Sequence, residues 1–180
     1  MIRFALLAAF AAMAASPALA QDAAADPGLA PPPIVMSTEY PGEEAVEPYV
    51  QSNANAGATP FADDGLFRAF HATGGVGRIV DGTLNRSMAD PRTAAIFTAI
   101  DMVRLGRTLK EQICYILGGP CVYSGRTMAE VHANTGLQPA DFGALVEHMQ
   151  HAMSEEGVSF RDQNRLLARL APMKRDVVTR

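Results

Sequence analysis

The chain has 180 residues, two cysteines, no tryptophan and a formal net charge of −4 at pH 7. That length suits one domain with extra segments, and an acidic chain with no basic stripe excludes nucleic acid as a generic partner. Aromatic residues are few, so the core falls to Leu, Ile, Val, Met and Ala. The 9 methionines suit a cavity that closes around something other than protein.

The first segment, 1–20, has Arg3, an unbroken apolar run from Phe4 to Ala15, the break Ser16-Pro17, and the small-x-small pattern Ala18-Leu19-Ala20 before Gln21. This reads as a secretory signal peptide. The run is shorter than the about 20 residues of a membrane span, and no cysteine follows the cleavage site. Neither a lipid anchor nor stable membrane insertion after cleavage is therefore expected; an uncleaved N-terminal anchor is the alternative. The Ala- and Asp-rich style is bacterial, which makes the periplasm the expected destination. Residues 21–64 contain Pro31-Pro32-Pro33 and Glu43-Glu44 but no Lys or Arg. Such a composition buries too little apolar surface to offset the entropy of ordering it, and a disordered acidic linker is expected. The folded domain is expected over 65–180.

Within that domain Leu66-Phe67, Phe70 and Val76 suggest a short first helix packed on the next, with Thr73-Gly74-Gly75 as the turn between them. Ile79, Val80, Leu84 and Met88 recur at helical spacing and predict a helix over 76–88. Asp90-Pro91 restarts the chain as a cap followed by a first-turn proline, and this short piece ends at Ile96-Phe97. The helix expected over 101–117 is capped by Asp101. It carries Met102, Leu105, Leu109, Ile113 and Leu117 on one stripe, with Arg104, Arg107, Lys110 and Glu111 off it. Gly118-Gly119-Pro120 ends it. A short turn over 128–134 holds His132. A helix over 139–153 turns Phe142, Leu145, Val146, Met149 and Met153 inward, which leaves His148 and His151 on the exposed side. The last helix starts at Ser159, with Asp162 completing a weak capping box. It buries Leu166, Leu167, Leu170, Met173 and Val177 and is kinked at Pro172. No strand pattern and no repeat is present, so the fold class is all-α.

Cys114 and Cys121 would lie roughly 10 Å apart on a straight helix, too far for a bridge. The Gly118-Gly119-Pro120 reversal removes that obstacle, and two cysteines in an exported chain ordinarily pair. A disulfide is expected. Cys-x-x-Cys-His is absent, so covalent c-type haem attachment by that motif is not indicated.

Of the histidines His71, His132, His148 and His151, a lone helical one is ordinarily a surface residue. His148-x-x-His151 offers two metal ligands without a third. His132 stands apart. It follows Met128 by one turn, precedes Gly136-Leu137, and comes after an apolar helix face. One imidazole presented from an apolar pocket is what a buried planar iron cofactor requires. The ordered set Asp90-Pro91-Arg92 with Phe97, Leu117-Gly118-Gly119-Pro120, Tyr123 to Met128 with His132, Gly136-Leu137, and Leu170 to Val178 resembles the truncated haemoglobins of group I. The likeness spans about 66–178.

The resemblance implies a two-over-two helical sandwich around haem b, with His132 as the proximal iron ligand and Phe97 stacked on the cofactor plane. Leu105, Leu109, Met128, Leu137 and Phe142 are implied as its wall. Many members carry Tyr at the position matching Leu84 and a polar residue on the following long helix. Here Leu84, Leu105 and Leu109 fill those places. Dioxygen at iron gains partial negative charge, and a donor to it contributes about 1–3 kcal/mol. Thr83, Thr108 and Gln112 are the nearest donors, the last two expected to point outward. An apolar distal face is therefore expected, with faster oxygen loss and less effect on carbon monoxide or nitric oxide. For the haem propionates Arg104 is the first candidate, ahead of Arg107, Lys110 and Arg126, although any of these suits plain solvated charge. The implied function is reversible binding of a diatomic gas by a monomer or weak oligomer. The alternatives are nitric oxide dioxygenation or peroxidase turnover, served by an electron donor, and a haem-free module that kept only the fold.

Overall fold

The computed structural model describes residues 34–35 and 40–180. The expected signal peptide, and the 21–33 and 36–39 parts of the expected linker, lie outside the described residues. Among the described residues seven helices follow in chain order: α1 (Gly65–Ala69), α2 (Ala72–Ala89), α3 (Met102–Ile116), α4 (Met128–His132), α5 (Pro139–Glu155), α6 (Phe160–Leu170) and α7 (Lys174–Val177). Short 3-10 turns at Asn53–Ala56, Ala94–Phe97 and Ala171–Met173 link them. The pairs α2/α3 and α5/α6 make two layers, and α2 packs along α5 between them. This is the all-α two-over-two arrangement.

The caps explain where the helices begin. Asp101 accepts from the Arg104 amide at 2.9 Å, Ser159 from the Asp162 amide at 3.2 Å, and Thr127 and Glu130 form a reciprocal box before α4. Each side-chain oxygen satisfies an amide that has no partner inside its own helix. Pro172 ends α6 in a 3-10 turn instead of kinking it, because it cannot donate to the helical ladder.

One turn differs from expectation. The α1–α2 turn lies at His71-Ala72, both with positive φ (58° and 56°), and Thr73-Gly74-Gly75 belongs to the first turns of α2. The glycine is needed for packing: a Cβ on Gly75 would lie 2.0 Å from the Phe70 carbonyl oxygen. At the end of α3, Gly118 has φ +83°, and a Cβ there would lie 2.2 Å from the Asp63 carbonyl oxygen. The Cys114 and Cys121 sulfurs are bonded across this reversal, with their Cα atoms 5.8 Å apart.

Residues 40–64 are not the disordered linker expected of them. They form a strap along α3 and the α3–α4 loop. Tyr49 Oη donates to Ser124 O at 2.7 Å, the Tyr123 amide to Asn53 Oδ1 at 2.8 Å, and the Phe61 amide to Ile116 O at 2.9 Å. Val50 and Tyr49 (β2) also pair antiparallel with Ile34 and Val35 (β1), a two-residue bridge too short to leave an alternation in the sequence. The acidic composition misled because the strap is held by long-range polar bonds rather than by a run of apolar residues.

Gly118→Ala is expected to lower stability by about 2 kcal/mol or more, since the left-handed backbone alone costs a Cβ-bearing residue about 1–2 kcal/mol and the Asp63 contact adds to it. Gly157→Ala is the control, with φ +81° and nothing within 4 Å; it should show only the backbone part. Urea unfolding midpoints of the two variants check the difference.

Candidate functional site

The long apolar stripe of α3 changes character along its length. Ile113, Ile116 and Leu117 are fully buried, whereas Met102, Leu105 and Leu109 are half-buried. The stripe of α5 does the same: Met149 and Met153 are buried, Phe142, Leu145 and Val146 half-buried. The N-terminal halves of both helices thus expose an apolar wall, while their C-terminal halves close the core. Leu137, Phe97 and Met128 are also half-buried.

Helix α4 meets α3 near the buried end of this stripe. The Gln112 amide lies 3.4 Å from Met128 Sδ, and Leu105, Leu109 and Gln112 share one face of α3 by helical spacing. That face therefore lies on the side of Met128, one turn before His132. The Nδ1 of His132 lies 2.8 Å from the Met128 carbonyl oxygen. A carbonyl can only accept, so Nδ1 carries the proton and Nε2 keeps its lone pair. Nε2 has no hydrogen-bond partner among the described residues, and it is not sealed from solvent. Burial pushes the imidazole pKa below its ordinary 6.5, and the Met128 bond opposes this only in part. A neutral, half-buried imidazole with one free nitrogen is the donor that haem iron takes. The residues present fit that cofactor.

The three candidate distal donors are all committed. Thr83 Oγ1 donates to Ile79 O at 2.7 Å, Thr108 Oγ1 to Arg104 O at 2.9 Å, and Gln112 Nε2 to Ala56 O at 2.8 Å. Gln112 does not point outward as expected; it is buried and holds the strap, whose backbone supplies the acceptor. Leu84 is buried at the α2–α3 crossing, where a Cβ on Gly106 would lie 3.8 Å from it. It also lines a groove of about 600 Å³ with Met88, Val103, Lys110 and Met102 of the α3 stripe, and His132 is not part of that groove.

Arg104 was expected to reach for a propionate. Its guanidinium is turned instead to Glu43 (3.2 Å), Asp101 (3.7 Å) and the Glu44 carbonyl. Arg107 meets the same Glu43 at 2.5 Å and Glu111 at 2.8 Å, with Tyr40 stacked over it. The Glu43 side chain has no exposed surface. The Arg107 bond, with Arg104 adding to it against the cost of burial, holds its carboxyl below the usual range. The strap thus supplies the carboxylate that these arginines need. Lys110 pairs with Asp81 at 2.7 Å, and Arg126 donates to Glu47 O at 2.6 Å.

His148, expected on the surface, is buried where α5 crosses α2. Its Nδ1 lies 3.0 Å from Ser87 Oγ and its Nε2 3.0 Å from Asp90 Oδ2. His151 is exposed. The polar site was readable only through Ser87, which sits one turn after Leu84 on the inward face of α2.

A profile of the bacterial-like globin family matches residues 68–179. The chain is 35% identical over 97 residues to a group 1 truncated hemoglobin of a Nostoc species, covering 54% of this chain and 82% of that protein. It is 30% identical over 101 residues to one from Mycolicibacterium paratuberculosis, covering 56% and 74%. Among solved structures, the Fe(III) form of the truncated hemoglobin from Tetrahymena pyriformis superposes with a TM-score of 0.61 at 23% identity, covering 64% of this chain and 98% of that one. The 2/2 hemoglobin of Synechococcus sp. PCC 7002 gives 0.59 at 24%, with the same coverage. At these identities the structural likeness speaks for the fold.

In the cofactor-free protein, the His132 ring is expected to titrate below 6.5 and to carry its proton on Nδ1 at neutral pH; imidazole nitrogen shifts by NMR check both. The sign for stability follows. As pH falls through the ordinary histidine value the unfolded chain takes the proton first, so this group weakens the fold on the acid side.

Proposed function

The chain belongs to the bacterial-like globin family, within its group 1 truncated haemoglobins, and on that footing we propose that His132 holds the iron of a haem b whose other face takes up a diatomic gas reversibly. When bound, haem would supply an iron that takes one ligand from the protein and can take up a small gas molecule. The chain's own residues do the rest. Met128 O fixes the tautomer and direction of the His132 ring. Phe97, Leu105, Leu109, Leu137 and Phe142 would hold the ring system and exclude water. The observation that carries this reading is the unpartnered Nε2 of a neutral, half-buried imidazole whose Nδ1 is bonded to the Met128 carbonyl.

The distal face is read as apolar. With Thr83, Thr108 and Gln112 bonded elsewhere, none is left to hold a ligand that gains negative charge. Oxygen should leave quickly, while carbon monoxide and nitric oxide, less polar when held, are favoured by comparison. The same lack of a polar group weighs against peroxidase turnover.

Export to the periplasm is part of the proposal. Arg3, the run Phe4 to Ala15 and Ala18-Leu19-Ala20 support it, as does the Cys114–Cys121 bond, since disulfides persist in oxidising compartments. Among the described residues no helix is long and apolar enough to cross a membrane. Sequencing the N-terminus of the protein from a periplasmic fraction should return Gln21; an intact Met1 would contradict export.

Titrating the protein with haemin should give a saturable Soret band, and the ferrous form should bind carbon monoxide reversibly, with a C–O stretch typical of an apolar pocket. Leu109→Gln should slow oxygen dissociation by roughly ten- to a hundredfold, the worth of one donor to a charged acceptor. A protein that takes up no haem defeats the reading, and a strongly polar C–O stretch in the wild type defeats its distal half.

A further inference from the structure

The buried polar cluster around His148 has no part in the proposed site as described so far. It is fully bonded. Ser87 Oγ donates to Thr83 O at 2.9 Å while facing His148 Nδ1. Asp90 Oδ2 faces His148 Nε2 and also receives Arg92 Nε at 2.9 Å. Arg92 reaches Glu147, the residue before His148, at 2.9 Å. Chiefly through the Arg92 bond, and with His148 contributing, the Asp90 carboxyl is held down to about 2, so it is a charged acceptor at every ordinary pH.

What this cluster holds is the start of the next segment. Thr93 Oγ1 donates to Ser87 O at 2.7 Å, and the Thr93 and Ala94 amides donate to Asp90 O at 3.0 and 2.8 Å. Thr93 immediately precedes the 3-10 turn Ala94–Phe97, and its carbonyl accepts from the Ile96 amide at 2.9 Å. Ser87, Thr93 and His148 are all buried. The turn itself contains no fully buried residue; Phe97, its last residue, is only partly buried against the core, which leaves the hydrogen bonds at its start a share in setting its direction.

We infer that His148 is a positioning residue for the cofactor face: by gripping Ser87 and Asp90 at once from α5, it fixes the Thr93 corner and thereby the Ala94–Phe97 turn that presents the Phe97 ring to the haem. The inference rests on the haem-binding reading for its functional meaning. It assigns to an imidazole on α5, away from the iron ligand, a share in cofactor retention. The share is exerted through Phe97, without contact with the cofactor.

The test is a double-mutant cycle on the haem-loaded full chain, read as the rate of haem transfer to an excess of an acceptor apoglobin. His148→Leu should raise that rate roughly tenfold, the scale of a lost bond to a charged group, and Phe97→Ala should raise it further. The double variant should match Phe97→Ala within about twofold, because His148 acts only through that ring. Multiplying effects would overturn the inference. Amide exchange in the cofactor-free protein gives a second readout: His148→Leu should speed exchange at residues 93–97 while leaving α3 and α6 unchanged, and a uniform rise over the whole molecule would equally overturn it. If His148→Leu fails to fold, Ser87→Ala, which removes the Nδ1 partner and the bond to Thr83 O but spares the Asp90 contact, should give the same exchange pattern at smaller amplitude. Absence of haem uptake by the wild type would defeat the functional reading, while the exchange experiment would still decide whether His148 sets the 93–97 turn.

Discussion

The bond from His132 Nδ1 to the Met128 carbonyl decides which ring nitrogen is left for chemistry. Imidazole is ambivalent: either nitrogen can carry the proton, and at neutral pH it is close to taking a second one. Two features of the chain remove that ambivalence. A carbonyl acceptor one turn back fixes the proton on Nδ1, and burial disfavours the charged ring. The ring is further positioned by the helix that carries it. Thr127 and Glu130 cap the five-residue helix that carries the ring, which is too short to be stable by its own propensity.

The wall depends on α3, and α3 is held from three sides. Its buried end is fixed by Ile113, Ile116 and Leu117 in the core and by the disulfide to Cys121. Its outer side is bound by the strap, where one carboxylate with no exposed surface joins two arginines of adjacent turns. A buried carboxylate is tolerable only because both partners are charged donors. The strap also takes up Gln112, the α3 side chain best placed to bring an amide towards Met128. The proposal of an apolar distal face rests on the same contacts: Thr83, Thr108 and Gln112, the nearest candidate donors, are all bonded to backbone.

The sequence made the helices legible because they rest on local rules. Stripe spacing located α2, α3 and α5, Asp101 and Ser159 located the starts of α3 and α6, and His132 was singled out by its resemblance to a known family. The misplaced features depend on contacts between distant segments. Glu43 looked like part of a solvated acidic run because nothing local says that Arg104 and Arg107, about sixty positions on, will enclose it. His148 looked exposed because a helical wheel gives the faces of α5 but not the point where α2 crosses it. Gly75 looked like a turn glycine, since the Phe70 carbonyl that forbids a side chain there comes from packing rather than from pattern. The change of burial halfway along α3 was also invisible, because Leu105 and Ile113 are equally apolar and only the packing separates wall from core.

The central claim is that one unprotonated nitrogen, presented by α4, reaches the iron. The direct measurement is the absorption and resonance Raman spectrum of ferrous haem-loaded His132→Gly, before and after adding free imidazole. The account predicts loss of the iron–histidine stretch in the variant and its return with added imidazole, since the glycine leaves room for the small ring at the same place. A variant that keeps the wild-type iron–histidine stretch without added imidazole would contradict it, because the ligand would then have to be another residue.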